Sequence, residues 1–158
     1  MDKRTTLACS PCALSLLLTI SPVAAAAQVS TSELIGAGMP SGLAEFASAV
    51  TSSEGDWDSV NQYGCAGAFQ FCPDTRIRYH PSSLESFLAS PTAQVSAYRR
   101  YMVDEWQLAR RNGFDELVGS RVCWGGQCRT ITQSSIIKGC QFRCAYGGAL
   151  GRYHRTGD

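Results

Sequence analysis

The sequence predicts a mainly α domain (α+β in class) with one small β-hairpin, stapled by disulfides. Three observations predict it. Apolar residues recur at helical spacing along most of the chain, as at Leu43, Phe46, Ala47 and Val50. A single Gly125-Gly126 pair stands between two short runs that can form strands, which is the signal of a two-residue hairpin turn. Eight cysteines in 158 residues are many for a chain of this size, and such a density in a small exported domain reads as a disulfide framework.

Taken from the N-terminus, residues 1–27 have the pattern of a cleaved export signal. Lys3 and Arg4 form a basic start, Ala13 to Ile20 is a short apolar core, Ser21-Pro22 breaks it, and Ala25-Ala26-Ala27 offers a small-residue cleavage site before Gln28. The apolar core falls well short of the roughly 20 residues a membrane span needs, and Cys9 and Cys12 precede it, which speaks against a lipoprotein signal. The chain is therefore expected to be exported, to the periplasm or beyond, with no stable membrane span. Residues 28–40 are small and polar and read as a flexible lead-in to one domain over 41–158, a length that suits a single core.

Within that domain, Ser41 is the expected cap of a helix whose stripe of Leu43, Phe46, Ala47 and Val50 continues to Glu54, with Gly55 as the stop. Residues 56–75 are rich in turn formers. Ser82-Ser83-Leu84-Glu85 reads as a capping box opening a short helix. Ser90-Pro91 opens a longer one, with Val95, Tyr98, Met102, Trp106 and Ala109 on one face and Gly113 at its end. Another turn or two follows over Phe114–Val118, then the hairpin, a helix from Gln133 to about Cys144, and a glycine-punctuated tail.

Without residues 1–27, which hold Asp2, Lys3 and Arg4, the remaining 131 residues carry 12 bases and 12 acids. That balance argues against capture of a polyanion, and nucleic acid is not an expected partner. The six cysteines left are Cys65, Cys72, Cys123, Cys128, Cys140 and Cys144. Their spacings match no common zinc site and the histidines are only His80 and His154, so no metal and no cofactor is expected. The hairpin register sets Cys123 opposite Cys128, where a cross-strand bridge can close. Cys140 and Cys144 are one helical turn apart. A bridge between them would be strained, and each is available to tie its helix to Cys65 or Cys72.

Glu54 is the leading candidate for chemistry. It ends an apolar stripe, and a carboxylate on a buried face is either paired with a base or kept there for use. Partial burial favours the protonated form of any carboxyl, the state from which a general acid starts. Ser52 falls on the opposite side of the same helix.

The segment from Ser53 to Thr75 resembles the signature region of lysozyme-like lytic transglycosylases, E-S-G-G-D-x-x-A-V-S-x-x-G-A-x-G-L-M-Q-L-M-P-x-T. Gly55-Asp56, Val60, Gly64, Gly67, Gln70, Pro73 and Thr75 fall in place without gaps. The departure is at the acid. Aligned ungapped, the family's catalytic Glu lands on Ser52 and Glu54 replaces a glycine. A turn shortened by two residues instead makes Glu54 the acid, and the helix favours this, because Val50, Ala47 and Phe46 precede Glu54 by the four, seven and eight positions seen in such enzymes. Residues 114–119 and 131–137 look more loosely like the C-terminal half of small phage- and secretion-associated members. Ala145 to Arg152 is similar to the family's A-Y-N-A-G-P-G-R stretch, with Gly147 in place of Asn, and an alternative alignment puts Gln141 there.

The resemblance implies a lysozyme-like fold and a peptidoglycan lytic transglycosylase that cleaves the bond between N-acetylmuramic acid (MurNAc) and N-acetylglucosamine (GlcNAc) with one Glu. It implies Glu54 as that acid, with Gln70, Tyr63, Phe69 and Tyr146 as substrate contacts, peptidoglycan strands as the partner, and service to a secretion or conjugation apparatus. Hydrolysis needs a second carboxylate, for which Asp56 and Asp58 are the nearby candidates, otherwise read as turn formers. The alternatives are a non-catalytic glycan-binding or scaffold protein with a degenerate site, and an exported wall-degrading effector. Trp57 is a further aromatic that could stack on sugar. His80, His154, Arg99-Arg100 and Arg110-Arg111 read as structural or solvated.

Overall fold

A computed structural model describes residues 29–143 and 149–156; residues 1–27, expected as an export signal, and Cys144 and Tyr146 lie outside the described residues. The fold is mainly helical with a single antiparallel hairpin. In order come α1 (Thr31–Gly36), α2 (Ser41–Glu54), α3 (Pro73–Tyr79), α4 (Leu84–Leu88), α5 (Pro91–Arg111), a 3₁₀ turn (Phe114–Leu117), β1 (Arg121–Trp124), β2 (Gln127–Thr130), α6 (Gln133–Arg143) and α7 (Ala149–Thr156).

The stretch expected as a flexible lead-in carries α1. Ser30 and Glu33 form a reciprocal capping box that starts it, and Leu34 is fully buried against α2. This packing turns the α2 stripe slightly from the expected face. Ala44, Ala47, Ser48 and Thr51 are buried, whereas Leu43 and Phe46 are half-buried. Ser48 and Thr51 are tolerated inside because their hydroxyls donate to the Val29 carbonyl at 2.9 and 3.4 Å. Pro40, not Ser41, is the cap residue of α2, and no side chain caps that end. Likewise Ser83, one position beyond the expected Ser82, caps α4 by accepting from the Ser86 amide at 3.1 Å. Ser90 caps α5 as expected, with Pro91 in its first turn, and Gly113 ends the region in the left-handed conformation.

α5 is the axis of the molecule. One cluster of buried residues joins α1, α2, α4 and the 66–71 segment to Val95, Ala97, Tyr98 and Met102 of α5. A second joins Ala109 of α5 to Phe114, Ile131, and Ile136 and Cys140 of α6. Trp106 packs against both. The hairpin sits at the edge of the second cluster in the expected register, with Cys123 opposite and disulfide-bonded to Cys128. Cys65 and Cys72 bond to each other, which corrects the expectation that the α6 cysteines reach them. A tight loop already brings these two together, since Ala66 and Phe71 exchange both backbone hydrogen bonds at 2.9 Å. Cys140 is also disulfide-bonded. Among the described residues no helix is long and apolar enough to cross a membrane.

Candidate functional site

The last turn of α2 presents Glu54 at the wall of an open pocket of about 260 Å³. Val50, one turn earlier, lies beside it, while Ser52 is exposed and spends its hydroxyl on the Ala49 carbonyl at 2.7 Å. The helix therefore turns Glu54, and not Ser52, toward the pocket. Opposite stands α6, whose Lys138 ammonium donates to Glu54 Oε1 at 3.0 Å. Both side chains are about 30% exposed, so the ion pair is partly shielded from water. Gln141, one turn further along α6, also lines the pocket and hydrogen-bonds Tyr101.

The floor comes from the loop carrying the resemblance. Phe69, Gln70, Phe71 and Cys72 all line the pocket. Phe69 is nearly buried and stacks on Tyr98 of α5, with ring centroids 3.9 Å apart and planes 5° from parallel. It supports the floor and leaves little free face. Gln70 is in the left-handed region at φ 48°, unusual for a residue with a side chain, and its amide nitrogen donates to the Gly67 carbonyl at 2.9 Å. A Cβ at Gly55 would come within 2.8 Å of that same amide nitrogen. The glycine after Glu54 thus lets the Gln70 amide close against the end of α2.

Other sequence candidates fall elsewhere. Tyr63 is 76% exposed at the tip of a turn organised by Asn61, whose side chain accepts from the Tyr63 and Cys65 amides; it lies outside the pocket lining. Trp57 packs edge-on against Phe69 in the core periphery. Asp56 accepts from the Trp57 amide at 2.7 Å and Asp58 is exposed, and neither lines the pocket. No group of three or more His, Cys, Asp or Glu able to hold a metal lies among the described residues.

Three contributors were not anticipated. Tyr98 was read only as core, yet it lines the pocket, and its hydroxyl has no hydrogen-bond partner among the described residues. Burial, and then the charge of Glu54, raise its pKa, so it stays a protonated donor. Lys138 had a signal: it is the only lysine after residue 3 in a chain whose other cations there are arginines. Gln94 of α5, fully buried, accepts from the Ala68 amide at 2.9 Å and donates to the Trp57 carbonyl at 2.8 Å, pinning the loop under the pocket. A larger groove of about 930 Å³ runs along α5 past Arg99, Arg100 and Trp106. Among the described residues lining it the one carboxylate, Asp104, accepts from Tyr79 at 2.8 Å and Arg78 at 3.4 Å. Compared with protein-family models, curated proteins and solved structures, the chain matches none.

Proposed function

We propose that this protein is an exported lytic transglycosylase of peptidoglycan, with Glu54 as its acid and base. The observation that supports this best is a lone carboxylate in a pocket floored by the very loop that carries the family-like residues, with no second carboxylate among the described residues lining it. A single carboxyl suffices for the chemistry. Glu54 protonates the glycosidic oxygen between MurNAc and GlcNAc, and the GlcNAc hydroxyl leaves. The Glu54 carboxylate then takes the proton of the muramyl 6-hydroxyl, whose oxygen bonds to C1 and closes a 1,6-anhydro ring. No water is consumed, so no second carboxylate is needed to activate one. Intramolecular disulfides in a small chain, together with the basic and apolar pattern of residues 1–27, support export.

In this reading Lys138 leaves Glu54 Oε1 before that oxygen meets substrate. Digestion of purified sacculi by the oxidised protein tests the reading. Anhydro-muropeptides, lighter by one water than hydrolysis products, are expected by mass spectrometry, and Glu54→Gln should lower their release by about 10²–10⁴-fold. Water-added fragments would make it a hydrolase. Sacculus binding without release, equal in both proteins, would make it a glycan-binding protein with a degenerate site.

A further inference from the structure

The outer face of α5 carries an arrangement that the chemistry at Glu54 leaves unused. Arg99, Val103, Trp106 and Arg110 follow one another at spacings of four, three and four residues, the interval at which one helix presents a seam to another. The seam runs along the groove of about 930 Å³, whose other walls include Leu43 of α2 and Ile137 of α6. Val103 is 55% exposed and Trp106 is half-buried, so the middle of the seam offers apolar surface to solvent. An exposed arginine stands at each end. Those two ends lie eleven residues apart in sequence, about 16 Å along a helix. Tyr98 and Tyr101, which line the Glu54 pocket, fall on another face of α5.

The groove is also cationic. Arg78 and Arg100 join Arg99 and Arg110 along it, against Asp104 as the one carboxylate among the described residues that line it. Asp104 meets Arg78 at 3.4 Å, and Arg110 reaches Asp115 only at 3.7 Å; exposed pairs of this kind hold little energy. Arg99 and Arg100 donate to the Gly38 and Tyr79 carbonyls, which leave both charges uncompensated. Bases and acids balance over residues 28–158, so the excess of positive charge is local to this face. A second copy of α5 laid on the seam, in either direction, would set arginine against arginine, and self-association by this face is disfavoured. We infer that the face docks an acidic amphipathic helix of a partner protein, with its apolar side chains over Val103 and Trp106 and its carboxylates at Arg99 and Arg110. Docking there leaves the Glu54 pocket open, and the inference does not depend on the reaction proposed for that pocket.

The test uses synthetic helices of roughly 15 residues on an alanine and glutamine background, with Glu, Leu, Leu and Glu at the four-three-four spacing of the seam. That spacing is the same read from either end, so either orientation serves. The peptides carry fluorescein, and the oxidised protein is titrated into them while anisotropy is read. The acidic helix should bind about tenfold tighter than one with both Glu replaced by Gln, and about tenfold tighter than one with both Leu replaced by Gln. Added salt should shrink the first difference. Arg99→Glu should lose most of the preference for the acidic helix and recover binding to a helix in which one Glu is Lys. Equal binding of the acidic and glutamine helices by the wild type, or no binding of either, overturns the inference even if Arg99→Glu fails to fold. An acidic preference that persists unchanged in a folded Arg99→Glu also overturns it. So does tighter, Arg99-dependent binding of a thymidine oligonucleotide or of phosphatidylglycerol vesicles, which would assign the face to nucleic acid or to an anionic membrane.

Discussion

The hydroxyl of Tyr98 is buried, in a residue only 1% exposed, and has no hydrogen-bond partner among the described residues. A buried donor left unsatisfied costs about 1–3 kcal/mol. Its ring, by contrast, is fully used, stacked on Phe69 and packed near Tyr101. Tyr98→Phe keeps the stack and removes the orphaned oxygen. It is expected to raise the urea midpoint, with the slope unchanged, by the equivalent of about 1 kcal/mol. A Tyr98→Phe protein that is less stable than wild type would show that the hydroxyl has a partner in solution.

One level up, the loop under the pocket depends on a contact between two elements. Gly67 is at φ 75°, and a Cβ there would fall 2.2 Å from the Gln94 carbonyl oxygen, with Gln94 itself fully buried and bonded on both ends of its amide. Gly67→Ala therefore combines a left-handed backbone with a clash against the Gln94 side-chain amide, which can move aside only by giving up its bonds to the Ala68 amide and the Trp57 carbonyl, and about 2–4 kcal/mol of stability should be lost. Gln94→Ala should also destabilise, by leaving the Ala68 amide and the Trp57 carbonyl without their partner. The double variant is expected to be less destabilised than the sum, since the shortened residue 94 makes room for the new methyl; strict additivity in a double-mutant cycle would sink this account. The same elements show what was legible beforehand. Long segments with repeated apolar spacing, α2 and α5, were readable, α6 was placed between the hairpin and the glycine-rich tail, and the Gly125-Gly126 turn gave the hairpin and its disulfide. Helices α1, α3 and α7, of 6, 7 and 8 residues, are too short for periodicity to rise above composition, and their ends are set by caps and neighbours. For α1 the capping box Ser30–Glu33 was present in the sequence but masked by small, polar surroundings. At the site, Glu54 and Gln70 followed from helix phase and from the resemblance. Lys138, Tyr98 and Gln94 did not, because the first two reach the pocket, and Gln94 the loop beneath it, from elements distant in sequence. Tyr63 shows the opposite failure: its type suited sugar stacking, but Asn61 shapes a turn that carries it into solvent.

At the scale of the molecule, α5 ties the two core clusters together, and its charged face bears on stability as a whole. Tyr79 donates to Asp104 at 2.8 Å, and burial together with that acceptor pushes its pKa up to about 12. The next residue, Glu105, has an oxygen that is buried without a partner among the described residues. Its pKa is raised, first by burial and then by the charge of Asp104, against the opposing pull of Arg78. A carboxyl with a higher pKa folded than unfolded holds its proton more tightly in the native state. The folded protein then binds more protons than the unfolded chain over that interval. Stability falls as the pH rises from the ordinary value of 4.5 through the folded value, and levels off above it. Glu105→Gln removes the buried charge with little change of shape. It is expected to melt at a higher temperature than wild type at pH 7 to 8, with the difference closing toward pH 4, where both states of the wild type are protonated. A gain in melting temperature that is the same at pH 4 and pH 8 would assign the effect to packing and not to the charge. No gain at either pH would mean that Arg78 already compensates the carboxylate across the surface of α5.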